Sequence, residues 1–136
     1  MSEKSLVNYT LGGMRRRWRK PIKHADGFTA GIADLSAWIE PAGNIWIECK
    51  ALKKWPRMGP VKFGLDDLQK DFLLERRGWC FVRVGREYLL FNYRCAHDLL
   101  DTPGADRVVL TMGCAGRWTG KVDWKEFAKL ISKRRP

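Results

Sequence analysis

Long apolar runs are missing from this 136-residue chain. No stretch approaches the roughly 20 apolar residues of a membrane-spanning helix, so a membrane role is not expected. Residues 1–30 also lack the continuous apolar core of a cleavable export signal, which leads us to expect a cytosolic protein. Paired cysteines are missing too. Cys49, Cys80, Cys95 and Cys114 are scattered, form no C-x-x-C and have no histidine at a zinc-finger spacing. Because Cys49 and Cys80 fall inside apolar runs, the four read as reduced core thiols rather than a metal or disulfide framework. Repeats and low-complexity tracts are absent as well, which leaves one domain spanning the whole chain.

Negative charge is in short supply. There are 26 Lys and Arg against 15 Asp and Glu, a net charge of +11. The basic residues come in blocks: Arg15, Arg16, Arg17, Arg19, Lys20 and Lys23, then Lys53, Lys54, Arg57 and Lys62, then Lys129, Lys133, Arg134 and Arg135. Acids are nearly absent from the first two blocks, which enclose Trp18 and Trp55. That suits a surface that binds phosphates and stacks on sugars or bases, so nucleic acid is the expected partner. A merely solvated basic face is the alternative.

What is present reads as a compact α/β domain. Ser2 N-caps a helix from Glu3 to about Leu11, which Gly12-Gly13 should end. The basic block after it forms a loop or an irregular strand. Residues 31–39 and 45–51 flank the turn-forming "EPAGN" and predict a β-hairpin. "LDDLQKDFLLERRG" predicts a helix with Leu65, Leu68 and Phe72 on its apolar stripe and Gly78 as its stop. "WCFVRV" and "EYLLFN" around Gly85-Arg86 predict a second hairpin. Beyond it, "CAHDLLD" reads as a short helix or turn, "RVVLTM" as a late strand and "DWKEFAKLIS" as a closing helix capped by Asp123.

The chemistry concentrates in "IWIECK", residues 45–50. Alternation puts Trp46, Glu48 and Lys50 on one face and Ile45, Ile47 and Cys49 on the other, the core side. With the turn centred on Ala42, the opposed pairs are Trp38 with Trp46, Ser36 with Glu48, and Asp34 with Lys50. Asp34 and Glu48 then become diagonal neighbours, about 7 Å apart at Cα. Two carboxylates so placed repel unless a proton or a cation sits between them. Mg2+ (or Mn2+) suits such a pair, because one or two carboxylates hold it while waters and phosphate oxygens complete its shell. The backbone carbonyl of Cys49 lies between the charged side chains and offers a further oxygen. Lys50 would hold the attacking water or offset charge on a scissile phosphate. On an ordinary exposed hairpin face the same residues would form only a weak cross-strand ion pair, and the spacing alone does not choose.

"GIADL" followed by "WIECK" resembles the PD-(D/E)XK nuclease superfamily, and "LDDLQKDFLLERRGWCFVRVG" looks like the Gln-bearing helix, glycine and strand of its virus-type replication-repair branch, VRR-Nuc. The likeness runs from about Glu3 to Gly85. It implies a restriction-endonuclease-like core over about residues 3–91, a mixed β-sheet flanked by helices in the order αβββαβ, with a C-terminal strand and helix over 92–136. It implies Asp34 and Glu48 as metal ligands, Lys50 as the catalytic lysine, and Gln69 as a helix residue that orients the lysine or contacts phosphate. It also implies, for Glu3, a match to a first-helix glutamate that reaches the metal. Ala33 departs from the pattern, standing where many relatives carry proline.

The expectation is therefore a Mg2+- or Mn2+-dependent DNA endonuclease, structure-specific on branched, Holliday-junction-like DNA and able to act as a homodimer. Its rivals are a restriction- or homing-type endonuclease that reads linear sequence, and a DNA-binding protein without hydrolysis. His24 is assigned no role.

Overall fold

A computed structural model describes residues 1–24 and 31–133. Arg134 and Arg135 of the third basic block lie outside the described residues.

The chain opens with helix α1 (Glu3–Met14), N-capped by the Ser2 side chain, which accepts from the Ser5 amide. Gly12 and Gly13 do not end it. They lie inside the helix, because the Gly13 side faces the indole of Trp124, which a Cβ would meet at 1.9 Å. Gly12 has open space around it. Opposite outcomes are expected at these neighbours. Gly12→Ala should stabilise by about 0.5–1 kcal/mol through helix propensity. Gly13→Ala should destabilise by about 1–3 kcal/mol, since overpacking outweighs the same propensity gain. Thermal melts of the two variants check this.

Among the described residues six strands follow: β1 (Arg19–Lys23), β2 (Leu35–Ile39), β3 (Gly43–Leu52), β4 (Trp79–Val84), β5 (Glu87–Asn92) and β6 (Gly116–Thr119). They form one sheet in sequence order. All neighbours are antiparallel except β3 and β4, which run parallel. Between those two lies α2 (Asp67–Arg76), the crossover that a parallel pair requires. Helices α3 (Tyr93–Asp98), α4 (Arg107–Gly113) and α5 (Trp124–Ile131) complete the chain. The protein is thus α/β, a six-stranded mixed sheet flanked by helices.

Both faces of the sheet are covered. Leu6, Val7 and Met14 of α1 and Phe127 and Ile131 of α5 pack on Ile45, Ile47, Cys49 and Phe81. Leu73 of α2, Ala96 of α3 and Leu110 of α4 pack on Cys80, Val82 and Phe91 on the other face. A face built this way cannot be an ordinary solvated hairpin face, so the polar residues of β3 lie under cover.

Three expectations are corrected. "RVVLTM" is helix α4 rather than a strand, since the Asp106 carboxylate accepts from the Val109 amide and caps it. A cap supplies the N-terminal partner that two valines' strand preference does not. The strand of this region is "GRWT", β6. In α2 the buried residue is Leu73, whereas Leu68 is exposed and Leu65 is buried ahead of the helix. Trp18 is only 6% exposed and packs in the core, so it offers no ring to a partner.

Candidate active site

The hairpin pairs Leu35 with Ile47, Ser36 with Trp46, Trp38 with Asn44 and Ile39 with Gly43. Its turn is centred on Pro41, two residues off the expected register, because Gly43 pairs with Ile39 and takes a positive φ of 83°. A shift by two keeps every side chain on its face. It also moves Asp34 from a diagonal position to the place directly across from Glu48, beyond the last pair of the ladder.

Asp34 is locked there from two sides. Its Oδ2 accepts from the Cys49 amide at 2.8 Å, and its own carbonyl accepts from the His24 amide at 2.8 Å. The N–H and C=O of a strand residue leave on the same edge. The Cys49 carbonyl therefore points to the edge where Asp34 sits. The Cys49 thiol is fully buried on the opposite face, and burial pushes its pKa well up.

Glu48 is 3% exposed and Lys50 7%. Burial, first, then a hydrogen bond with the Asp34 carboxyl and that group's charge push the Glu48 carboxyl up to about 10, against the opposing pull of Lys50. At neutral pH it therefore holds a proton in the metal-free protein. Lys50 Nζ donates to the Gly64 carbonyl at 3.3 Å and stands 4.0 Å from Glu3 Oε1. Glu3 adds to the upward push on Glu48. It thus lies at the rim of the same group.

Gln69 is held by the helix it belongs to. Asp66 caps α2 by accepting from the Gln69 amide at 2.8 Å, and Gln69 Oε1 accepts from the Asp66 amide at 3.1 Å. With its oxygen engaged in this capping box, the side-chain NH2 is aimed outward and donates to Glu48 Oε2 at 3.3 Å. The first turn of α2 is thereby brought to the acids. Asp34, Glu48, Lys50, Gln69 and Glu3 form one connected group at the C-terminal half of β3.

Neither a protein-family model nor a curated protein matches this chain. Function therefore has to be argued from the group itself.

Among the described residues no cluster of three or more His, Cys, Asp or Glu side chains is close enough to hold a metal alone. Mg2+ does not need one, since two carboxylates suffice when water and substrate oxygens fill the remaining positions. The feature that fits a hard cation is the pair itself: a buried Glu48 held against a half-buried Asp34, where burial and the second carboxyl both push the Glu48 carboxyl up. Asp34, Glu48 and the Cys49 carbonyl supply oxygen donors only, as such an ion prefers.

Two neighbours, His24 and Asp101, were not legible in the spacing. His24 Nε2 lies 2.8 Å from Ser36 Oγ, and its ring stacks on Trp46 with centroids 5.2 Å apart. Together with Glu3, Lys4, Val7, Lys23 and Asp34, His24 lines a cavity of about 450 Å³ that opens beside the acids. Asp101 accepts from the amides of Phe63 and Leu65 at 2.6 and 2.5 Å, pinning the loop whose Gly64 carbonyl holds Lys50. The pairing of Asp34 with His24 could have been sought once the basic segment was placed as a strand beside β2, since His24 directly follows β1. Nothing in the spacing marks Asp101.

The basic blocks fare unevenly as contact surfaces. Arg15, Arg16 and Arg17 follow α1 and are exposed, as are Lys53, Lys54, Arg57 and Lys62. Arg19 pairs with Glu40 at 3.0 Å and Lys23 donates to Asn8 at 3.1 Å, while Lys20 is exposed with φ 50°. Trp55 is engaged inside the protein: its Nε1 donates to Glu87 at 2.5 Å and Arg107 covers its ring at 5.1 Å.

Proposed function

We propose that this protein is a divalent-metal-dependent DNA endonuclease, with Mg2+ (or Mn2+) held by Asp34, Glu48 and the Cys49 carbonyl. The observation that carries the reading is the contact between the half-buried Asp34 carboxyl and the buried Glu48 carboxyl, with Lys50 on the same strand face. When bound, the ion supplies Lewis-acid stabilisation of phosphate charge. The chain's own residues do the rest. Lys50, steadied by the Gly64 carbonyl, presents a fixed ammonium where negative charge develops on phosphate oxygen. Gln69 fixes the rotamer of Glu48 and leaves the other carboxyl oxygen for a ligand. Glu3, at the rim, balances Lys50 and adds one more oxygen at the entrance.

The net charge of +11 supports a polyanionic substrate. Branched DNA is the proposed form and a homodimer the proposed state, because a symmetric junction needs two cuts and one site makes one. Digestion of four-way junction, flap, single-stranded and linear DNA with Mg2+ or Mn2+ tests the reading. Cutting confined to a linear sequence would move it to the restriction or homing type, and no cutting of any form would leave a binding protein. Arg16→Ala and Arg17→Ala are expected to weaken DNA binding on all sequences alike. Each should lower the slope of log affinity against log salt by about one, read from titrations at several salt concentrations.

A further inference from the structure

Trp38 is a large ring left 41% exposed on the same strand face as Asp34 and Ser36. Two hollows border it, each with cations in its lining, the larger one with Glu40 as well. One, of about 190 Å³, is lined by Arg19, Lys20 and Trp38. The other, about 560 Å³ at the far end of α2 from Gln69, includes Trp38, Arg76, Arg77 and Lys133 in its lining. The ring's orientation is set in advance, since Trp38 Nε1 donates to Glu40 Oε1 at 3.1 Å and the same oxygen accepts from Arg19. Arg76 continues the surface toward the acids, lying 5.7 Å over Trp46.

We infer that Trp38 is a stacking platform for an unpaired nucleotide of a DNA strand, with phosphates on either side of that base received by the two basic hollows. A fixed indole costs little order to stack on, every base has a face to offer it, and cations on both sides match a chain with one negative charge per nucleotide. The four residue steps from Asp34 to Trp38 span about 13 Å of strand. That is about four nucleotide steps of a stacked DNA strand. The inference rests on the DNA reading above and sharpens it: the enzyme would prefer substrates with single-stranded character a few nucleotides from the cut, as at a flap or an open junction.

The test is binding without chemistry. A fluorescein-labelled single-stranded oligonucleotide and a blunt duplex of the same sequence are titrated with the full chain in EDTA, and anisotropy is read. Trp38→Ala is expected to weaken the single strand about tenfold and the duplex less than about twofold. Trp38→Phe, which keeps a ring, should recover most of the loss. The salt slope should be unchanged by Trp38→Ala and reduced by Lys20→Ala. Unchanged single-strand affinity in Trp38→Ala, or an equal loss on the duplex, overturns the inference. Because no divalent ion is present, a protein that cuts nothing can still pass this test, and one that fails it can still hydrolyse DNA.

Discussion

Lys50→Ala is expected to slow phosphodiester hydrolysis about a thousandfold with Mg2+ or Mn2+ present, the loss typical of removing one preorganised donor at a developing oxyanion. DNA affinity should stay within about twofold, because Lys50 is 7% exposed and contributes almost nothing to the surface that meets phosphates. Two effects compete in this variant. Loss of the ammonium removes a positive charge that pulls the Glu48 carboxyl down, which strengthens proton retention there. Loss of the stem opens a small cavity under α2, which costs stability. Lys50→Met separates them, since it fills the space and carries no charge. Equal loss of cutting in the Ala and Met variants, with only the Ala variant melting lower, assigns the effect to charge. Glu48→Ala should lose cutting to a similar degree while still binding DNA. Wild-type rates in Lys50→Met would sink the hydrolytic reading, whatever the protein binds.

The parts of the fold that were legible in the sequence are those fixed by local chemistry. Ser2, Asp123 and the Gly85-Arg86 turn each act within a few residues of their own position, and the structure has the elements they imply. Where tertiary contact decides, spacing misled. Gly12-Gly13 reads as a helix stop until the Trp124 indole is known to lie on Gly13. "RVVLTM" reads as a strand because β-branched residues outweigh a single upstream Asp in any local count, yet Asp106 nucleates the helix. Trp18 looks like a stacking residue in a basic block, and only its packing in the core cluster buries it.

The site survived an error of register for a physical reason. "EPAGN" allows more than one turn, and moving the turn centre from Ala42 to Pro41 shifts the strand pairing by two residues. Since side chains alternate with a period of two, Asp34 kept its face, and a slip of one would have removed it. Gln69 was legible as a helix residue near the acids. That its oxygen is spent on the Asp66 cap, leaving only the NH2 for Glu48, required coordinates. The support under Lys50 was invisible, because Asp101 is brought to the loop around Gly64 from a turn 36 or more residues away.

Glu48→Gln is expected to make the metal-free protein more stable at neutral pH and to abolish much of its loss of stability with rising pH. The native carboxyl is pushed up to about 10 from an ordinary 4.5 by burial and then by Asp34. Between those values the native state holds a proton that the unfolded chain has released, so the stabilising effect of protonation is complete below the unfolded pKa and is lost as pH rises toward the native one. The slope is at most about 1.4 kcal/mol per pH unit. Partial relaxation of the buried site reduces it, and a difference on the order of 2–4 kcal/mol between wild type and Glu48→Gln across pH 5 to 8 is a reasonable size. Gln keeps the shape and can still hydrogen-bond Asp34, but it has no proton to lose. Chemical denaturation at several pH values reads the difference, with the variant's own slope removing the contribution of other groups. Mg2+ should then act on the wild type alone: it competes with the proton between the acids, so it should stabilise more strongly as pH rises and release protons on binding. Parallel pH profiles for the two proteins, or equal stabilisation of both by Mg2+, would show that the two carboxyls do not share one proton and do not share an ion.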